Sequence, residues 1–496
     1  MMKLGKILLL LCLLTACGTK EQADLPVYQD MNDLKGKKVC TLVGCSQEEI
    51  LEKQHPEVEV LRLESPADMV QALLSKQCEA FVLEDYMFSY YMHAIKGVVA
   101  LEEPFSVTEM GVCVAKGKNT DLIEQFNAFF SQIKADGTYD DMYNRWIKNA
   151  HDAVMPDIPM PKEGKPLRVA TNSVTPPLVY IENGRLTGFE VELMNRFAAS
   201  IGRQSVWTDM NFSAIIPALA SGTQDIATAG INITEGRKEA VDYSVPIMSS
   251  ETCVAIRAEN SDGYVAGAEE VEGLSFIDSV RTGFHRNILE EDRYLMILDG
   301  LKLSALIALL ASLFGTVMGG VVCWMRMSRS AVLRNVAGLY IGLMRGTPVL
   351  VLLMIMFYVV FAGTSITAVT VSVITFGMNF AAYVSEMFRS AIENVDRGQT
   401  EAGIALGFSP VKTFVYIVMP QAFKQVLPVY KGELVSLVKM TSIVGYIAVQ
   451  DLTKVGDIIR SRTFDAFFPL IMVAVLYFIL SWIFAAVLDL IGKKVS

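Results

Sequence analysis

The chain has 496 residues, 52% of them hydrophobic, and a formal net charge of −10 at pH 7. An acidic balance of this size disfavours nucleic acid as a partner. The four histidines are scattered, and no cysteine–histidine group has the spacing of metal ligands, so we expect neither a metal nor any other cofactor. The length allows two or three domains.

The N-terminus has the features of an export signal. Residues 7–14 form an apolar run that is too short to cross a bilayer, which needs about 20 residues. Leu14-Thr15-Ala16-Cys17 follows and resembles the bacterial lipoprotein signal, in which the cysteine is lipid-modified. We therefore predict a signal peptide at 1–16, a lipidated Cys17 and a tether at 17–32. An ordinary secretory signal is the alternative.

Hydropathy divides the rest of the chain into two halves. Residues 20–299 have the composition of a soluble protein, whereas the chain from Leu303 onward is strongly apolar. Basic residues follow the first and the last apolar segment, which places those ends in the cytoplasm and the soluble half outside a bacterial inner membrane. Length and apolar content predict five membrane spans, at 304–325, 339–362, 368–392, 426–449 and 467–491.

The loop between the third and fourth spans carries a motif with regular spacing. Its residues are Glu401, Ala402, Gly403, Gly407, Ile417, Met419 and Pro420. This resembles the cytoplasmic loop of ABC-importer permeases, with Gly403 in place of the second Ala and Met419 in place of the Leu. The pattern predicts two short helices that are broken near Gly407, with Pro420 ending the second. The resemblance implies that this loop couples the membrane helices to an ATPase.

Other motifs narrow the resemblance to the polar-amino-acid importer permeases. They are Arg345-Gly346-Thr347-Pro348, the segment 383–389, Gly398-Gln399 and Lys439-Met440-Thr441-Ser442, where the family usually has Asp at the position of Met440. The resemblance implies an all-α, five-helix type I importer domain at 299–496 that works as a homodimer. The sequence has no G-x-x-x-x-G-K-[ST] phosphate loop, so we expect no enzyme activity here and a separate cytoplasmic ATPase subunit.

The external half resembles the amino-acid-binding proteins that serve these importers (family 3). A strand at 167–171, a helix at 188–201 and a strand at 225–231 predict an α/β lobe with its site at the strand carboxyl ends. The segments 209–213 and 229–244 resemble lobe 1 of that family, and 33–150 resembles lobe 2 plus the returning C-terminal helices.

In the family, lobe 1 precedes lobe 2, whereas here the order is reversed. We therefore predict one circularly permuted, two-lobed α/β domain, in which a proline-rich linker at 151–165 joins 33–150 to lobe 1 at 166–258 and a second linker fills 259–298. The alternative is that 33–150 is a degenerate remnant that binds nothing. The permuted arrangement also puts Cys113 and Cys253 on the two hinge strands, which leaves a disulfide between them as an open question.

The residues that would bind an amino acid follow from its two charged groups, since both must be satisfied when water is excluded. A guanidinium can bind two carboxylate oxygens, and a helix N-terminus offers further N–H groups, while an acid holds the ammonium. The resemblance implies that the carboxylate contacts come from Arg237, Gly230, Asn232, Gly44 and Cys45. Glu84, with Asp85 as the alternate, holds the ammonium, Phe212 forms an aromatic wall, and Asn172 stands where glutamine binders carry an acid.

The sequence thus predicts the membrane subunit of an ABC importer that captures a polar amino acid, with glutamine favoured, and passes it through its own helices. Membrane lipid, a second copy of the chain and the ATPase are the expected partners. A ligand-gated channel or receptor with an amino-acid-binding external domain is the alternative. It is less favoured because no segment between the spans resembles a re-entrant pore loop.

Overall fold

The computed structural model describes residues 26–495 apart from 64, 92–94, 162, 263–275, 363, 365, 464 and 466. The predicted signal peptide, Cys17 and the first part of the tether lie outside the described residues. The first part of the external half contains these elements: β1 (Lys38–Leu42), α1 (Ser46–Gln54), β2 (Glu59–Leu63), α2 (Pro66–Leu74), β3 (Ala80–Glu84), α3 (Asp85–Tyr91), β4 (Val98–Ala100), β5 (Ser106–Met110), β6 (Cys113–Ala115), α4 (Thr120–Ala135) and α5 (Thr138–Tyr143).

The second part of the external half follows the proline-rich segment and begins at Leu167. Its elements are β7 (Leu167–Thr171), β8 (Val174–Thr175), β9 (Val179–Glu182), β10 (Arg185–Thr187), α6 (Phe189–Ser200), β11 (Ser205–Asp209), α7 (Ile215–Ala220), β12 (Ile226–Ala227), α8 (Glu235–Lys238), β13 (Val241–Tyr243) and β14 (Met248–Arg257).

Two mixed sheets form two lobes, and each sheet takes a strand from the other half of the sequence. The sheet of lobe 2 has the order β2-β1-β3-β14-β4, with β5 also paired to β14, whereas the sheet of lobe 1 has the order β11-β7-β12-β6-β13. The chain therefore crosses between the lobes twice, after β5 and before β14. The two crossings are joined by backbone hydrogen bonds, with Ser244 N donating to Val112 O at 2.8 Å and Ile247 N donating to Met110 O at 2.9 Å.

The helices α4 and α5 pack on lobe 1 although they follow the strands of lobe 2 in the chain. Phe126 of α4 meets Phe197 of α6 edge to face at 5.2 Å between ring centroids. Beyond α5, the buried Trp146 donates its indole N–H to Glu192 at 2.7 Å. Aromatic edge-to-face pairs and a satisfied indole N–H are typical of a well-packed core, so these helices complete lobe 1.

The membrane half is helical. Its elements are α9 (Phe276–Phe284), α10 (Arg293–Arg326), α11 (Ala331–Gly346), α12 (Val349–Ile355), α13 (Ala368–Glu393), α14 (Arg397–Ala405), α15 (Pro410–Thr413), α16 (Met419–Met440), α17 (Leu452–Thr463) and α18 (Phe467–Val495). Among the described residues, three helices are long and apolar enough to cross a membrane, or up to five spans if each of two bent pairs counts as one.

The second and fourth predicted spans are the bent pairs. The helix that ends at Gly346 turns by 107° into the segment that begins at Val349. Pro348 explains the turn, because proline lacks an N–H and disfavours helical backbone in the residue before it, and Thr347 is extended (φ −106°, ψ 134°). The fourth span continues past Ile447 and bends by 57° into α17.

Small residues let α10 and α13 pack closely in the membrane. A Cβ added at Gly315 would lie 2.6 Å from the carbonyl oxygen of Gly377, and one added at Gly319 would lie 3.0 Å from that of Ala381. Such close backbone contact is typical of helix pairs in lipid, where no hydrophobic driving force acts between helices.

The loop between α13 and α16 folds as two short helices, α14 and α15, separated at Gly407, whose φ of +85° favours glycine. The break near Gly407 agrees with the prediction, but the role given to Pro420 was wrong. Pro420 lies in the first turn of α16, and a π-helical segment, Phe414–Val418, leads directly into that helix.

Candidate functional site

A cavity of about 340 Å³ lies between the two lobes and opens toward the membrane half. Its walls come from the loops after β1, β3 and β7 and from the loop between β12 and α8, together with the 3₁₀ turn Phe212–Ala214. The carboxyl ends of β1, β3 and β7 point at this cleft, which is where open α/β sheets place their ligands. The membrane side contributes residues of the 3₁₀ helix Thr441–Ile447 and of α17.

Arg237 lies at the cleft and connects the lobes. It stands on α8, whose N-terminus is capped by the Thr234 side chain. Its guanidinium donates to the carbonyl oxygen of Asn232 at 3.0 Å and, across the cleft, to that of Gly44 at 2.6 Å. The guanidinium carbon also lies 5.3 Å from the ring centroid of Phe212, a distance at which a cation is attracted to an aromatic face. The structure thus brings these four predicted residues together.

Glu84, rather than Asp85, faces the cavity. The Glu84 side chain accepts from Gln47 Nε2 at 2.8 Å and from Asn232 Nδ2 at 3.3 Å, and burial raises the pKa of its carboxyl group. Asp85 accepts from its neighbour Tyr86 N and from Ser250 Oγ, both at 2.7 Å. The carboxylate of Asp85 therefore holds the start of α3 in place.

The backbone N–H of Gly230 has a different partner from the one predicted. Gly230 has a φ of +61°, and a Cβ there would approach the Tyr86 hydroxyl oxygen to 3.0 Å. Its N–H, which was expected to contact a carboxylate of the ligand, donates to both oxygens of Glu190 at 3.1 Å. Glu190 lies inside lobe 1 and is 1% exposed, and burial raises its pKa to about 7. This pair could not be predicted from the sequence, because Glu190 stands on a helix 40 residues before Gly230.

The remaining predicted residues have their polar groups engaged within the protein. Gly44 N donates to Glu48 Oε2 at 2.9 Å, and Asn172 Nδ2 donates to the carbonyl oxygen of Met210 at 2.8 Å. Cys45 precedes α1, its thiol lies 3.1 Å from Thr41 Oγ1, and burial raises the pKa of the thiol. Cys45 and Asn172 nevertheless line the cavity.

Two polar residues at the start of α1 make side-chain contacts that the sequence did not predict, although Gly44-Cys45-Ser46 was expected to offer backbone N–H groups to the ligand. The Ser46 hydroxyl oxygen accepts from Asn232 Nδ2 at 2.6 Å, across the cleft, and Gln47 binds Glu84. Both side chains are at least 97% buried. Their position directly after Cys45 could have indicated a role in the site, because they begin a helix that closely follows the end of strand β1.

The possible disulfide between Cys113 and Cys253 is not formed. Both cysteines are free, as are the other four cysteines of the described part of the chain. The first lies in β6 of lobe 1 and the second in β14 of lobe 2, so they belong to different sheets. The described residues also contain no group of three His, Cys, Asp or Glu that could hold a metal ion.

Four charged residues of the membrane half line the same cavity and were also missed: Asp451, Lys454, Asp457 and Arg460. Arg460 pairs with Asp68 of lobe 2 and, at 3.0 Å, with Asp457. Lys454 Nζ lies 3.4 Å from Asn211 Oδ1 of lobe 1. These residues follow the fourth span directly, and only the bend between α16 and α17 places them under the cleft.

The loop residues from Glu401 to Pro420 lie away from the cleft. Gly403 is buried, and a Cβ there would lie 2.7 Å from Thr413 Cγ2 and 2.8 Å from Ile417 Cδ1, which accounts for glycine where the related pattern has alanine. Apolar side chains are exposed around the break, with Leu406 at 77% and Val411 at 72%.

Comparison with known proteins shows to which families the chain belongs. The Bacterial extracellular solute-binding proteins, family 3, match residues 167–434, which is more than half of the chain. The probable amino-acid ABC transporter permease protein YckA of Bacillus subtilis (strain 168) is 37% identical over 199 residues, 40% of this chain and 88% of that protein. The chain belongs to both families. It is a polar-amino-acid ABC transporter permease with a fused solute-binding domain, and thus a multi-pass membrane protein.

Two further matches describe the permease part. A putative glutamine transport system permease protein, GlnP, of Rickettsia bellii (strain RML369-C) is 32% identical over 204 residues, 41% of this chain and 94% of that protein. A solved structure described as an amino acid ABC transporter with histidines is 32% identical, with a TM-score of 0.39, and covers 45% of this chain and 99% of that one.

Proposed function

We propose that this permease captures a polar amino acid outside a bacterial cytoplasmic membrane and passes it to its own membrane helices, driven by a separate ATPase subunit. One observation carries the proposal: a single cavity contains the guanidinium of Arg237, the buried acid Glu84 and the outer residues of the membrane helices. A receptor cleft that opens directly on the transport domain is the arrangement that an importer with a built-in receptor requires.

The binding chemistry follows from the two charged residues. The substrate carboxylate would take the place of the Gly44 carbonyl oxygen as a partner of Arg237, which exchanges a neutral acceptor for a charged one. The substrate ammonium would lie against Glu84, whose buried carboxylate is stabilised by a nearby positive charge. Asn232 and Phe212 complete the contacts, while Gly230, Cys45 and Asn172 are proposed to shape the walls, because their polar groups are engaged elsewhere. Asp85 does not line the cavity and is not proposed to bind the substrate.

We also infer that the external half is one circularly permuted domain with one site. The exchange of β6 and β14 between the two sheets supports this, because neither half of the sequence supplies a complete sheet. The alternative of a degenerate remnant at 33–150 accounts less well for Glu84, Ser46 and Gln47, which line or border the cleft from that segment.

The loop from Glu401 to Pro420 is the proposed contact for the ATPase subunit. The exposed side chains of Leu406, Val411 and Tyr416 support this, because apolar groups grouped on one surface mark an interaction site. Since the permease half supplies one bundle of helices, a homodimer is the simplest assembly.

For the substrate we favour glutamine, because the Rickettsia relatives are described as putative glutamine permeases. Other relatives are described as L-cystine and arginine permeases, both from Bacillus subtilis (strain 168). The alternative of a ligand-gated channel is set aside because the chain belongs to a permease family.

The test measures amino-acid binding to the full-length protein in lipid nanodiscs by calorimetry. The wild type should bind glutamine, and Arg237→Ala should lower the affinity about 100-fold or more, because it removes one partner of a buried charge pair. Arg185→Ala, on an exposed arginine of the same lobe, is the matched control and should bind as the wild type does. Unchanged affinity in the Arg237 variant, or no amino-acid binding by the wild type, would contradict the proposal.

A further inference from the structure

Lys454 of the permease is buried at the floor of the receptor cleft. It stands in the first turn of α17, its side chain is 5% exposed, and it lines the cavity. The segment that carries it is fixed by Asp451, which accepts from the backbone N–H groups of Thr453 at 3.0 Å and Lys454 at 3.1 Å. Tyr477 donates to the same carboxylate at 2.8 Å. The ammonium group is thus presented by a rigid helix start.

The ammonium group of Lys454 has weak partners within the described residues. Its hydrogen bond to Asn211 Oδ1 is 3.4 Å long, and its ion pair with Asp209 Oδ2 spans 4.0 Å. The Asp209 carboxylate accepts from Ser173 N at 2.8 Å and from Ser173 Oγ at 2.7 Å. An ammonium has three donors, and a buried one is costly unless acceptors satisfy it.

The other cations that line the cavity have stronger partners. Arg460 is paired with Asp68 and Asp457, and Arg237 donates to Asn232 and Gly44. Under the proposed function, Arg237 and Glu84 bind the two charged groups common to every amino acid. Lys454 is then the cation of this cavity that is available for what differs between amino acids, the side chain.

We propose that Lys454 is a substrate-binding residue, and that it donates a hydrogen bond to an oxygen at the end of the substrate side chain, an amide carbonyl as in glutamine or a carboxylate as in glutamate. The permease half would then complete the receptor's site and set its specificity. The same ammonium would repel the cationic side chains of arginine and lysine. This inference rests on the proposed function of the cleft.

The test compares ligands as well as variants, in full-length protein in nanodiscs, by competition against radiolabelled glutamine. Glutamine and glutamate carry a side-chain oxygen, alanine does not, and arginine carries a positive charge. We expect Lys454→Met to weaken glutamine and glutamate binding about 10- to 100-fold, because a hydrogen bond to a charged group is lost. Alanine binding should change less than about threefold, since alanine has no group to lose.

Lys454→Arg keeps a donor and should recover part of the glutamine affinity, whereas Lys454→Glu should shift the preference toward arginine. The control is Lys302→Met, because Lys302 is exposed, pairs with Asp299 at 3.0 Å and does not line the cavity. Equal losses for glutamine and alanine would indicate a purely structural lysine and overturn the inference, as would no loss for either. A wild type that binds arginine more tightly than glutamine would also overturn it, while the proposed function would stand if Arg237→Ala abolished that binding.

Discussion

Glu190 is an acid that the interior of lobe 1 holds away from solvent. Its carboxyl group lies on α6 between the buried residues Phe189 and Val191, and accepts from the N–H of Gly230 at the edge of the cleft. Burial disfavours the charged form, which raises the pKa of Glu190 from 4.5 to about 7. The protonation state of this residue therefore changes within the range of pH that an external domain meets.

The pKa of Glu190 gives a prediction for stability. Because the folded-state value lies above the unfolded one, the contribution to stability is fully present below about pH 4.5 and is lost as the pH rises through about 7. The loss across that window is about 3 kcal/mol. Hydrogen exchange of the α6 amides in the full-length protein should therefore be faster at pH 8 than at pH 5.5 beyond the intrinsic effect of pH.

Glu190→Gln keeps an acceptor for the Gly230 N–H and removes the titratable group. Most of the additional hydrogen exchange of the α6 amides at pH 8 should therefore disappear in the variant. Glu239→Gln, on an exposed acid of the same lobe, serves as the control and should behave as the wild type. A variant at position 190 with an undiminished pH effect would show that another group is responsible.

At the scale of elements, the loop between α13 and α16 combines a rigid interior with an apolar exterior. Gly403 allows α14 to pack directly on Thr413 and Ile417, and Gly407 supplies the positive φ that separates α14 from α15. The apolar side chains that cannot be buried inside so small a unit point outward. A unit of this shape keeps its form when a force acts on it, as a coupling element must.

Leu406→Asp tests the loop as the ATPase contact. A charge in place of the 77% exposed leucine should disrupt an apolar interface and reduce substrate-stimulated ATP hydrolysis of the assembled transporter about tenfold or more. Glutamine binding at the distant cleft should be unchanged. Val154→Asp, the same kind of change at a 73% exposed site outside the membrane, should leave both activities intact. Normal stimulated hydrolysis in the Leu406 variant would place the ATPase elsewhere.

At the scale of the whole molecule, one short helix holds both lobes on the membrane domain. Arg460 of α17 pairs with Asp68 of lobe 2, and Arg462 of α17 reaches lobe 1. Arg462 donates to the carbonyl oxygen of Ile181 at 3.0 Å and to Glu291 at 2.6 Å, and it lies 5.0 Å from the ring centroid of Tyr180. A change in the distance between the lobes is therefore passed to α17.

Arg462→Leu should loosen lobe 1 from the membrane domain. Removing a guanidinium from a site where its side chain is only 10% exposed takes a donor from the Ile181 carbonyl and leaves Glu291 paired with Arg293 alone, at 3.1 Å. We expect the amides of the hairpin β9–β10 to exchange hydrogen about 10- to 100-fold faster, as for a locally less stable segment. Arg185→Leu, at an exposed arginine of the same hairpin, is the control. Equal protection in the two variants would argue against Arg462 as the anchor.

The sequence by itself determined the parts of this protein whose signals are local. Apolar length placed the membrane segments, while the spacing from Glu401 to Pro420 and the order of the lobe patterns led to the predictions of a coupling loop and a permuted domain. Arg237, Glu84, Asn232 and Phe212 could be named as candidate site residues because they match the family's pattern and suit the charged groups of an amino acid.

Only the tertiary structure decided what lies on the other side of the cleft. Lys454 and Arg462 follow an apolar span in the sequence, and nothing local distinguishes them from ordinary charges at a membrane surface. The 57° bend between α16 and α17 places them against the lobes. Glu190 on α6 binds the backbone N–H of Gly230, 40 residues later in the chain, and the second predicted span bends by 107° near Pro348. These contacts and bends depend on how segments distant in the sequence pack together, and the pattern of residues within one segment does not predict that packing.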